Sequence, residues 1–186
     1  SLNDDIYFKS INHVKDSIKL ASDLNSKYYS FHAGFLADLS PKDLGKSKSK
    51  LKEISLSKGL DSFLKNIDII SRYAKKQNVH ILLENNVIGS YNFKRFKKKN
   101  PFLMTDPKSI EHIMYNTPNN VNLLLDVGHL KVSANTLGFN KDKAHEQVKK
   151  WIKAYHLSEN DGKEDTNSLI SNKSWFLKKL KPLLED

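Results

Sequence analysis

Residues 79–86 read Val79-His80-Ile81-Leu82-Leu83-Glu84-Asn85-Asn86, and residues 121–129 read Val121-Asn122-Leu123-Leu124-Leu125-Asp126-Val127-Gly128-His129. Each is a short apolar run that stops at a carboxylate. The runs are continuous at their centres, not alternating, which predicts strands covered on both faces, as in a parallel sheet lined by helices. A carboxylate at the exit of such a strand stands where parallel α/β folds present their chemistry.

The flanking sequence supplies the helices. Ile11, Val14, Ile18, Ala21 and Leu24 fall three or four apart and predict an amphipathic helix, with Ser10 placed to cap it. The helix gives way at Asn25-Ser26 to an aromatic-rich strand, Tyr28 to His32. A polar loop is expected from Leu36 to about Ser57, with Pro41 and Gly45 inside it. Leu60, Leu64, Ile67, Ile70 and Ala74 form the next helical stripe, ahead of a strand over Val79 to Glu84. A long loop then carries Phe93 to Lys99, and Asp106-Pro107 opens a helix with a cap residue followed by proline. The strand Val121 to Asp126 leads through a loop to a helix around His145 to Trp151. Ala154 to Leu157 reads as a short strand and Trp175 to Leu184 as a last amphipathic helix. Helix and strand therefore alternate, with crossovers long enough to join parallel strands.

Composition narrows the function classes. The 186 residues are 38% hydrophobic and 28% charged, the balance of an ordinary globular chain. Cysteine is absent, which excludes disulfides, zinc fingers and thiol catalysis. No apolar run approaches the roughly 20 residues of a membrane helix, and the start lacks the pattern of a signal peptide; a cytoplasmic location is expected. The net charge of +10 comes from lysine, since arginine occurs only at Arg72 and Arg95. Specific nucleic-acid recognition favours the arginine fork, so the clusters at Lys46 to Lys52 and Phe93 to Lys99 read first as solvated faces and second as a patch for phosphate-bearing ligands.

All four predicted strands end in a group able to bind metal or substrate: His32, Glu84, Asp126 and His156. One such residue is routine, whereas four in succession, all histidine or carboxylate, form a narrow pattern. Asp126 and His129 leave the same strand, and Gly128 is expected to let the backbone turn so that both point into the mouth. The competing reading has Asp126 capping the next helix. Asp165, in Glu164-Asp165-Thr166-Asn167, either reaches the site or forms a surface turn. His13, His80, His112 and His145 read as structural or solvated. A donor set of Glu, Asp and His suits Mn²⁺, Co²⁺, Zn²⁺ or Mg²⁺, and three protein ligands leave positions open for a catalytic ion.

With His-Ala-Gly at 32–34, Leu-Leu-Glu-Asn at 82–85, Asp-Val-Gly-His at 126–129 and His-Leu-Ser-Glu-Asn-Asp-Gly at 156–162, the chain resembles the xylose isomerase-like barrels. That family groups sugar phosphate isomerases and epimerases with endonuclease IV. Asp165-Thr166-Asn167 and Ser174-Trp175-Phe176 also resemble the isomerase/epimerase branch. The resemblance implies a (β/α)8 barrel of which residues 1–186 form one partial domain, about four strands from the central portion. It implies metal ligation by Glu84, Asp126 and His156, catalysis by Glu84, and substrate contacts from His32, His129 and Asn86. The family's fourth ligand, a glutamate on a later strand, has no counterpart here, and Glu185 at a helix end does not qualify.

These expectations add up to an isomerase or epimerase of a sugar or sugar phosphate, requiring one divalent ion and working through an enediolate. A homo-oligomer is compatible with them. Two alternatives stand beside this reading. One is an endonuclease IV-like phosphodiesterase acting on abasic DNA, although Asn167 stands where that branch has histidine. The other is a non-catalytic partial barrel that binds a ligand or partner.

Overall fold

The computed structural model describes residues 4–38 and 52–184. The elements are α1 (Asp4–Asp23), β1 (Tyr28–His32), β2 (Ala37–Asp38), β3 (Lys52–Glu53), α2 (Leu56–Lys76), β4 (His80–Glu84), α3 (Ser90–Arg95) and α4 (Pro107–Tyr115). They continue with β5 (Val121–Asp126), α5 (Val127–Leu137), α6 (Lys141–Val148), β6 (Ile152–His156) and α7 (Leu177–Leu184). The main sheet has the order β1-β4-β5-β6, with all neighbours parallel. Helical crossovers join its strands one after the next, as in a barrel wall.

One side of this sheet carries the core. Ile81, Leu83, Leu123 and Leu125 are fully buried in a cluster with Ile18 of α1, Ile67, Ile70 and Ala74 of α2, Ile110 and Ile113 of α4, and Val148 of α6. Successive strand side chains alternate between faces. Glu84 and Asp126 therefore belong to the opposite, inner face. The central leucines of β5 show the consequence: Leu123 and Leu125 are buried while Leu124 is half-buried.

Helix ends follow their residue chemistry. Asn25 and Asn78, just beyond α1 and α2, adopt φ of 57° and 55°. Asparagine tolerates this left-handed conformation better than most side chains, and the chain can then turn from helix into strand. Asp106 caps α4 by accepting from the Lys108 and Ser109 amides, and Pro107 follows at the first turn, as the sequence predicts.

Several boundaries differ from expectation. Ser10 does not cap α1: the helix already runs from Asp4, and the Ser10 hydroxyl donates to the Ile6 carbonyl one turn back. The loop from Leu36 to Ser57 contains the small antiparallel pair β2–β3, and Ser55 caps α2. Pro41, Gly45 and most of the Lys46–Lys52 cluster lie outside the described residues. The segment around Phe93 is not all loop, because α3 spans Ser90–Arg95. No loop separates β5 from a helix: α5 starts directly at Val127, and α6 follows. The last helix begins at Leu177, two residues later than expected.

Strand β6 begins at Ile152 because of an irregularity that sequence pattern does not reveal. Leu123 pairs with Ile152 while Leu124 pairs with Ala154, so Lys153 is an extra residue. Uninterrupted pairing would set Asp126 opposite Tyr155. The bulge lets Ile152 and Tyr155 both pack toward the helices and sets His156 opposite Asp126.

Candidate metal centre

Parallel register gathers the strand ends, although across β4–β5 Glu84 pairs with Leu124 and Asp126 lies two residues further on. His32 lies opposite Glu84 across β1–β4, and Asp126 lies opposite His156 across β5–β6. Glu84 is 7% exposed and Asp126 1%. Two carboxylates this well buried carry a large desolvation cost unless positive charge or hydrogen bonds compensate. His156 supplies part of the answer. Its Nδ1 stands 3.1 Å from Glu84 Oε1 and 3.2 Å from Asp126 Oδ2. The hydrogen bond to Glu84, together with the negative charge of Asp126, raises the His156 pKa above the ordinary histidine value, against the smaller opposing effect of burial.

The donors test the fit of a cation directly. One ligand atom each from Glu84, Asp126 and His156 lies within 4.8 Å of the others, and the set is two oxygens and one nitrogen. His156 Nδ1 faces two carboxylate oxygens that can only accept, so the three donors already gather around one shared positive group. Borderline divalent metals accept such a set, so these residues fit the ion.

Asp126 does two jobs at once. Its Oδ1 accepts from the His129 amide at 2.8 Å and caps α5, while Oδ2 faces His156. The cap corrects the expected role of Gly128. Gly128 sits inside the first turn of α5 and does not turn the chain by a special backbone angle. His129 reaches the mouth because residues three apart share a helix face. What requires glycine is space: a Cβ at position 128 would lie 2.3 Å from Ser158 Oγ, 3.1 Å from Asn160 Nδ2 and 3.2 Å from Asp126 Oδ1.

His129 is clamped from both sides. Its Nδ1 is 2.8 Å from the Asn85 carbonyl oxygen and its Nε2 is 3.2 Å from Asp165 Oδ2. A carbonyl only accepts, so Nδ1 carries the hydrogen. Nε2 also lies 3.9 Å from Asp126 Oδ2. His32 is the loosest member, with Nε2 at 3.8 Å from Glu84 Oε2 and more than half its side chain exposed. Its ring centroid is 5.5 Å from that of His129. His32, Glu84 and His129 form a second group with donor atoms within 4.8 Å of one another.

Asn86, expected to contact substrate, has its amide nitrogen engaged by the backbone. Its Nδ2 donates to the carbonyls of Ala33, Gly34 and Leu103, so the amide nitrogen ties the loops after β1 and α3 together. The neighbouring Asn85, part of the Leu-Leu-Glu-Asn motif but given no role from sequence, is the closer support of the centre. Its Nδ2 donates to the Asp126 carbonyl at 3.1 Å and its Oδ1 accepts from the Asp126 amide at 2.7 Å. An asparagine directly after a strand-end carboxylate is the only sequence signal for this clamp. His13, His80 and His112 are exposed, and the buried His145 bonds the Tyr155 hydroxyl at 2.9 Å, all away from the mouth. Glu185 lies outside the described residues.

A family model described as a xylose isomerase-like TIM barrel matches residues 1–176. The chain belongs to this family. Among solved structures, this barrel chain is similar to a D-tagatose 3-epimerase-like protein, at 21% identity and TM-score 0.72, over 98% of this chain and 61% of that one. It is similar to the TTHB071 protein from Thermus thermophilus, soaked with ZnCl2, at 14% identity and TM-score 0.64, over 100% and 63%. A third is the D-psicose 3-epimerase from Clostridium cellulolyticum H10, solved with D-tagatose, at 18% identity and TM-score 0.60, over 86% and 47%. No curated protein matches the sequence. The barrel segment thus spans about three-fifths of the length of the first two structures. Among the described residues, no helix is long and apolar enough to cross a membrane.

Proposed function

We propose that the chain carries the metal-centred part of a sugar or sugar-phosphate isomerase or epimerase. The observation that carries this reading is the approach of His156 Nδ1 to Glu84 and Asp126 at the ends of three neighbouring strands. Likeness to structures of sugar epimerases supports the substrate class. Glu84, Asp126 and His156 would hold the divalent ion, which when bound supplies Lewis-acid polarisation of adjacent carbonyl and hydroxyl oxygens.

The side chains divide the remaining work. Glu84 takes the proton from the carbon beside the carbonyl, and the electrons of that C–H bond move into an enediolate. Glu84 returning the proton to the neighbouring carbon gives the isomer, whereas the epimer requires a second acid to protonate the same carbon from the opposite face. His129 steadies a substrate oxygen, and His32 lines the wall of the mouth. The test incubates the protein with Mn²⁺ and a panel of ketoses and ketose phosphates in deuterated water. Metal-dependent deuterium uptake at the α-carbon is expected with at least one of them, and abolished in Glu84→Gln. No uptake across the panel would reject the reading.

A second reading rests on the second donor group, His32, Glu84 and His129. Two adjoining groups sharing Glu84 suit a two-metal phosphodiesterase of the endonuclease kind. Metal analysis separates the two: one ion per chain favours the isomerase, and two ions with incision of abasic duplex DNA favour the nuclease.

A further inference from the structure

The loop after β6 is fastened to α5 by more contacts than a surface turn needs. Lys131 Nζ donates to Glu159 Oε1 and to the Asn160 carbonyl, each at 2.5 Å. Asn135 Nδ2 donates to the Gly162 carbonyl at 3.0 Å, and Asn160 Nδ2 to the Gly128 carbonyl at 3.0 Å. Gly162 has φ of 80°, and a Cβ there would stand 2.1 Å from Asn135 Nδ2, so the close seat of loop on helix requires glycine. An antiparallel bridge between Glu159 and Ser168 closes the loop at its base.

This fastening delivers one group to the mouth. Asp165 Oδ2 meets His129 Nε2 at 3.2 Å, while Asp165 Oδ1 is enclosed without a hydrogen-bond partner among the described residues. The carboxylate is thus held by the shape of the loop and touches the His129 ring. His129 lies on α5, the helix that carries Lys131 and Asn135. Loop and helix therefore fix both ends of the same contact.

We propose that Asp165 is a positioning residue for His129, and that Lys131 and Asn135 act at one remove by fixing the loop that presents it. With Asn85 on Nδ1 and Asp165 on Nε2, the imidazole keeps one orientation beside Asp126. The proposal rests on the reading of His129 as a substrate contact. Its test needs no turnover.

Histidine-selective ¹⁵N labelling of the metal-free protein resolves the His129 ring, with the buried His145 as internal control. The wild type is expected to show a slowly exchanging Nδ1–H on His129. Asp165→Ala should speed its exchange by roughly tenfold, and Lys131→Met by a smaller factor, with His145 unchanged and Mn²⁺ affinity within about threefold, the range below an outer-shell loss. Asp165→Asn, which keeps the size and an acceptor oxygen, should restore most of the protection. Unchanged His129 exchange in both Asp165→Ala and Lys131→Met would overturn the proposal. So would a loss of Mn²⁺ affinity of about 100-fold or more in Asp165→Ala, which would make Asp165 a ligand. Because exchange is read without substrate, its failure leaves the isomerase reading standing, and absence of ketose turnover leaves this one standing.

Discussion

Replacing Gly128 with alanine tests whether the first turn of α5 is as tightly closed as the geometry says. On propensity alone the change favours the helix by up to about 1 kcal/mol. Against that, the new methyl would stand 2.3 Å from Ser158 Oγ, with Asn160 Nδ2 and Asp126 Oδ1 at 3.1 and 3.2 Å. Overpacking of a closed site costs about 1–3 kcal/mol. Displacing Asn160 from the Gly128 carbonyl would add about 1 kcal/mol. The net expectation is destabilisation by about 1–3 kcal/mol, a fall in Tm of roughly 2–12 °C for a chain of this size. Ser158 Oγ has no hydrogen-bond partner among the described residues, so Ser158→Ala alone should be neutral or slightly stabilising. The double variant should recover at least half of the loss, since the shortest contact is gone. Thermal melts and urea titrations of the four proteins measure this cycle. A Gly128→Ala protein as stable as the wild type, or a double variant no better than the single, would refute the steric account.

Asn85→Ala removes both partners of the buried Asp126 peptide groups and should cost about 2–4 kcal/mol in urea unfolding, with weaker Mn²⁺ binding as Asp126 loosens. The raised pKa of His156 gives two pH trends of opposite sign. In the metal-free protein its stabilising contribution is complete below the ordinary value of about 6.5 and is lost as pH rises through the raised value, so Tm should decline over that window. Metal binding must displace the same proton, so Mn²⁺ affinity measured by calorimetry should rise with pH, by about tenfold per unit below the raised value. A flat affinity profile would remove His156 from the ligand set.

Much of the candidate site was legible because polar groups at a parallel strand end leave a simple mark. Ile81-Leu82-Leu83-Glu84 and Leu123-Leu124-Leu125-Asp126 show the strand and its terminal group in one line of sequence. What stayed hidden depends on relations between segments. The Lys153 bulge that aligns His156 with Asp126 exists only in the pairing of β6 with β5. Gly128 was visible, but a glycine kept for space looks the same as one kept for a turn until Ser158 is placed against it. Helix α3 escaped because Ser90–Arg95 is too short to show a period. Ser10 misled because a serine before an apolar stripe fits a cap equally well when the helix has begun earlier.

The account stands on one divalent ion held by Glu84, Asp126 and His156. Calorimetric Mn²⁺ titration of the wild type beside Glu84→Gln, Asp126→Asn, His156→Ala and His32→Ala tests it most directly. The account predicts one ion per chain, losses of affinity beyond about 100-fold in the first three variants, and a change under about threefold in His32→Ala. Wild-type affinity in His156→Ala, with the fold intact by circular dichroism, would contradict it.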